Sequence, residues 1–93
     1  NNPTLLYEYF LLSEEMAASH SLVTRKRAIH YRVANVLYES MCDTYLERHW
    51  RFLCFDNINR PLFSIKRLIT TQNSAQQLRK VRHEINVLSI YFL

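Results

Sequence analysis

The 93 residues contain no glycine at all, only two prolines and only two cysteines. Without glycine, hairpin turns that need positive φ would have to rely on asparagine alone, and both prolines stand where helices can begin. Helices joined by short polar links are the economical outcome. There is no run of about eighteen apolar residues, and no cationic segment leading into an apolar stretch and a small-residue cleavage site. The expectation is a chain that neither spans a membrane nor is exported by such a signal. Cys42 and Cys54 fall on one candidate helix, where twelve residues separate their Cα atoms by about 18 Å. That is far beyond the ~7 Å reach of a disulfide. Two free thiols in a reducing, intracellular compartment, nuclear or cytoplasmic, are expected.

What is present is the composition of a folded chain: 48% apolar, 22% charged, with six Tyr, five Phe and one Trp. Residues 1–93 read as a single helical domain, and the uncharged end from Val87 to Leu93 is that of a buried terminus or of a piece cut from a longer protein. The net charge of +4 is unevenly spread. Residues 1–23 carry Glu8, Glu14 and Glu15 with no Lys or Arg, while all twelve basic side chains and five acids follow. The acidic first segment is therefore expected to dock on a basic surface of the rest.

The fold class expected is all-α: a short helix, a long central one, a short one and a C-terminal one, packed as one small bundle. Asn2 and Pro3 suit the N-cap and first turn of a helix running to about Ala18. Leu5, Leu6, Tyr9, Phe10, Leu12, Met16 and Ala17 form its expected core face, and Tyr7 and Leu11, outside that division, read as surface apolar residues or as a partner contact.

The run from Thr24 to Phe55 is the longest periodic stretch, with Ser21 or Thr24 as its cap. Its first half aligns Ile29, Val33, Val36, Leu37, Ser40, Met41 and Thr44. Past Tyr45 that side turns basic with Arg48 and Arg51, and Cys42, Leu46, Trp50 and Leu53 make a second stripe on the opposite side. Either the chain breaks near Arg48 and re-aims, or one helix presents its second stripe to another element or chain. Periodicity fails again over Asp56 to Asn59. Pro61 then opens a helix to about Thr71, with Leu62, Ile65, Leu68 and Ile69 inward and Lys66 and Arg67 outward. Ser74 and Gln77 have capping-box spacing, and Leu78, Val81, Ile85, Leu88 and Phe92 form the stripe of the last helix.

Short, long, short and extra helix is also similar to the order of a histone fold with an added C-terminal helix, with Arg60-Pro61-Leu62 at its second loop. The central run is several residues too long for that family, and none of its motifs is present.

Chemistry-bearing motifs are lacking. No two of His20, His30, His49 and His83 have the four-residue spacing of a helical metal site, and there is no phosphate loop or nucleophile motif. No cofactor, metal, small-molecule substrate or catalytic residue is expected. Two function classes remain. The first is a protein-interaction module of an intracellular assembly, self-associating or binding a partner through Cys42, Leu46, Trp50 and Leu53, with Trp50 as anchor. The second is a basic helical domain that binds nucleic acid or an acidic ligand through Arg25, Lys26, Arg27, Arg32, Lys66, Arg67, Arg79, Lys80 and Arg82. Cations at Arg25, Lys26 and Arg27 oppose the dipole if the helix starts at Thr24, a cost that an acidic ligand or partner would offset; if the helix starts at Leu22 or earlier, they lie past the end effect and form a solvated face.

Overall fold

A computed structural model describes residues 3–93 as five helices: α1 (Pro3–Ser19), α2 (Val23–Cys42), α3 (Arg48–Asn57), α4 (Asn59–Arg67) and α5 (Gln72–Phe92). No strand occurs among the described residues. The expected capping residue Asn2 lies outside them. α2 touches all four other helices, and the Cα envelope is a slab of 37 × 28 × 15 Å.

The long central run is two helices. Asp43 ends α2: its carboxylate accepts the Tyr45 N–H at 3.0 Å, and its carbonyl accepts the Leu46 N–H at 3.1 Å. A side chain that imitates a turn in this way competes with the helix ladder. α3 then folds back along α2, so the two apolar stripes face one core instead of two. The order shared with the histone fold, which needs an unbroken long helix in the middle, is not kept.

The break expected at Asp56 to Asn59 is much slighter, a single residue, Ile58, whose backbone stays in the α region. The break has a chemical cause. Pro61 has no N–H to give to the Asn57 carbonyl, and its ring crowds that group. Ile58 is itself 2% exposed and belongs to the core. α4 ends at Arg67, four residues short of the expected Thr71. Leu68 instead caps α4, and Thr71 is the N-cap of α5 with Ser74 as its reciprocal partner. The capping box is therefore Thr71–Ser74, not Ser74–Gln77, with Ser74 N–H to Thr71 Oγ1 and Thr71 N–H to Ser74 Oγ both at 3.1 Å.

The core consists of Leu6 and Phe10 of α1, Val33, Ala34, Leu37 and Met41 of α2, Cys54 and Ile58, Leu62 and Ile65 of α4, and Leu78 and Ile85 of α5. α2 is rotated slightly from the expected phase. Its buried strip is His30, Val33, Ala34, Leu37 and Met41, while Val36 is exposed. In α1 the strip is Leu6, Phe10, Ser13 and Ala17, and the expected core residues Leu5, Leu12 and Met16 are exposed. The expected inner faces of α4 and α5 are kept, with Leu62, Ile65, Leu78 and Ile85 buried.

A chain without glycine must close its helices in another way. Here arginines from distant elements reach the terminal carbonyls, where the negative end of the helix dipole favours a cation. Arg51 donates to Met41 O at the end of α2 and to Phe92 O at the end of α5. Arg27 donates to Leu68 O at 2.8 Å, just past α4, and to Thr70 Oγ1.

Candidate functional site

The end of α1, the start of α2 and α4 enclose an open groove of about 780 Å³. α2 begins at Val23 after an extended Leu22 that offers no side-chain cap, so neither Ser21 nor Thr24 caps it. Arg25, Lys26 and Arg27 therefore sit within its first turn and a half. From there Lys26 and, one turn on, His30 reach the groove, while α4 contributes Arg60, Phe63, Ser64 and Arg67. Ala17 and Ala18 of α1 form an apolar wall, and Glu14 is the single carboxylate in the lining.

Arg60 and Glu14 satisfy each other by Nε–Oε2 and Nη2–Oε1 bonds of 2.7 and 2.9 Å. The guanidinium also lies 5.3 Å from the centre of the Tyr7 ring and 5.0 Å from that of Phe10. The bond from Arg60 holds the Glu14 carboxyl below the usual range against the opposing effect of burial. Lys26 and Arg67 have no ion-pair partner among the described residues. His30 is 7% exposed, and its ring nitrogens have no hydrogen-bond partner among those residues. Burial pushes its pKa below the ordinary histidine value; Glu14 opposes that shift and Arg67 adds to it.

The other basic residues are divided among several places. Arg27 is occupied by the α4 terminus, and Arg82 Nη1 donates to Asn59 Oδ1 at 3.5 Å. Arg25 and Arg32 are exposed on α2, and Lys66 on α4. Arg79 and Lys80 line a shallow depression of about 570 Å³ with Asn73, Gln76 and Gln77 of α5. Of the nine basic positions, Lys26 and Arg67 are thus brought to one groove, and Arg79 and Lys80 to another.

The stripe of Cys42, Leu46, Trp50 and Leu53 is half-buried throughout, and Cys42, Trp50 and Leu53 pack against the core. Cys42 ends α2 and Cys54 lies in α3, so the two do not share one helix, and both thiols are free. Burial raises the pKa of each.

Two outer faces are uncovered. On α1, Leu5, Leu12 and Met16 are 60%, 64% and 54% exposed and share a side with half-buried Tyr9, bordered by Glu8 and Glu15. On α5, Ile90 and Tyr91 are 81% and 79% exposed, beside Val87, on the side that carries Arg79, Lys80 and His83. Sequence reasoning missed His30 and Phe63 as lining residues, and it assigned the α1 face to the core. The one available signal for His30 was its place between apolar positions of the α2 stripe.

No helix among the described residues is long and apolar enough to cross a membrane, and no group of His, Cys, Asp or Glu there could hold a metal. No family model matches the chain, and neither a curated protein nor a solved structure matches it.

Proposed function

We propose that this domain is a protein-interaction module that self-associates, the outer face of α1 on one copy packing against the outer face of α5 on another. The observation that carries this reading is a pair of uncovered apolar faces of different charge: Leu5, Leu12 and Met16 bordered by Glu8 and Glu15, and Val87, Ile90 and Tyr91 on the side of α5 that carries Arg79 and Lys80, about 10–18 Å nearer its start. Exposed apolar surface bordered by charge is typical of protein interfaces. Pairing two α1 faces would set glutamates against glutamates, whereas α1 on α5 sets them against cations. Leu5, Tyr9, Leu12 and Met16 alternate steps of four and three, the spacing of a helix–helix seam.

Light scattering over a rising concentration series tests this. The weight-average mass should increase with concentration and fall back to one chain in Leu12→Glu and in Ile90→Glu. Glu8→Lys with Glu15→Lys should weaken association. Adding Arg79→Glu and Lys80→Glu to that chain should restore it. A chain that stays monomeric at every concentration overturns self-association.

A further inference from the structure

The α1 and α5 faces leave the basic groove unused, and that groove has the makings of a separate site. We infer that the groove between α1, α2 and α4 binds an acidic peptide, whose carboxylates meet Lys26 and Arg67 and whose apolar side chain rests on Phe63. Three cations line it against one carboxylate, and the Arg60–Glu14 pair is internally satisfied. Lys26 and Arg67 are thus left facing the same space without an ion-pair partner among the described residues. Two like charges so placed repel each other until an anion lies between them. They also sit against the positive end of α2, which has no side-chain cap.

His30 is an independent sign of a ligand. The residue is 7% exposed and lines the groove, its ring forms no hydrogen bond among the described residues, and its ring nitrogens stay open to solvent there. A carboxylate entering the groove can take the place of water on that ring N–H. The remaining lining decides what kind of anion fits. Ala17, Ala18, Leu68 and Phe63, the last 58% exposed, offer apolar contact that an inorganic ion cannot use. A nucleic-acid strand needs a row of cations along its phosphates, and here Glu14 interrupts a set of only three. A carboxylate next to an apolar side chain matches both halves of the lining.

The charged groups around His30 are Glu14 from α1, Lys26 from α2, and Arg60 and Arg67 from α4. Adding a carboxylate to that set favours the imidazolium, so binding takes up a proton. Affinity should therefore rise as pH falls from about 8 to about 6.

Fluorescence anisotropy of a labelled peptide with glutamates on either side of one leucine tests the site. Wild-type protein should bind it saturably, and Lys26→Glu and Arg67→Glu should each weaken binding roughly tenfold or more. Far-UV circular dichroism checks each fold, and Lys26→Gln and Arg67→Gln replace any variant that fails to fold. Repeating the titration on Leu12→Glu separates this site from self-association, because Leu12 is not in the groove. In His30→Gln the pH dependence should disappear. Four results would each overturn the proposal: absence of saturable binding, unchanged affinity when Lys26→Glu and Arg67→Glu are combined, displacement of the peptide by equimolar inorganic phosphate, and tighter binding of a single-stranded oligonucleotide than of the peptide.

Discussion

Arg60 clasps Glu14 with two donors, Nε at 2.7 Å and Nη2 at 2.9 Å, and joins α1 to α4 across 46 residues of sequence. The pair is about one-third exposed, so solvent screening keeps its contribution small. Glu14→Gln should cost about 0.5–1 kcal/mol at neutral pH. The folded-state pKa of Glu14 is depressed below its ordinary value of 4.5. Its stabilisation is therefore fully present above that value and is lost as pH falls through the lower, folded one. Urea titrations over an acid series should show the wild type and the variant converging at low pH. A gap that persists there would mean that packing, not charge, makes the difference.

Arg51 closes two helices at once. Arg51→Ala leaves the Met41 and Phe92 carbonyls without that donor, and a loss of about 2 kcal/mol is expected for charge-assisted bonds in a half-buried site. Arg51→Lys should recover only part of it, since one ammonium cannot reproduce the fork of the guanidinium. Hydrogen exchange should show the ends of α2 and α5 opening together in the alanine variant. Loosening confined to one of them would contradict the double cap.

The Tyr31 hydroxyl is buried and has no hydrogen-bond partner among the described residues. Burial raises its pKa, with Arg27 opposing. Removing an unsatisfied buried group should help the fold, so Tyr31→Phe is expected to stabilise by about 1 kcal/mol in urea unfolding. A destabilised variant would show that the hydroxyl has a partner after all.

The phase of α2 can be tested with two truncations. Met41 is fully buried and Val36 is 42% exposed, although apolar spacing alone assigns both to the core. Met41→Ala should cost about 3 kcal/mol as a cavity-forming change. Val36→Ala should stay within about 0.5 kcal/mol, as surface changes do. Equal costs would restore the phase read from spacing.

Both cysteines should react slowly with a thiol reagent in the native state. Cys54 is 1% exposed and Cys42 half-buried, and burial raises both pKa values, which reduces the thiolate that attacks. Cys42 should react first, with Cys54 following only on unfolding. Rapid labelling of Cys54 in folded protein would place it outside the core.

Local chemistry alone settled the all-α class, since a chain without glycine has few routes into tight hairpins, and its apolar residues recur at helical spacing. The inner faces of α4 and α5 were legible for the same reason: in Pro61–Arg67 and Ser74–Phe92 apolar and polar positions alternate with strong contrast. α1 lacked that contrast. It is apolar around most of its circumference, so its sequence is consistent with several orientations, and the choice of Leu6, Phe10, Ser13 and Ala17 came from what α2 and Arg60 could cover. The central run carried two stripes, and only the fold-back at Asp43 to Glu47 turned both toward one core. Which arginines became caps and which cations were left facing the groove was likewise a tertiary outcome. Arg27 and Lys26 are neighbours in sequence, yet Arg27 finds the end of α4 while Lys26 finds a groove with no partner, because successive residues of a helix point about 100° apart.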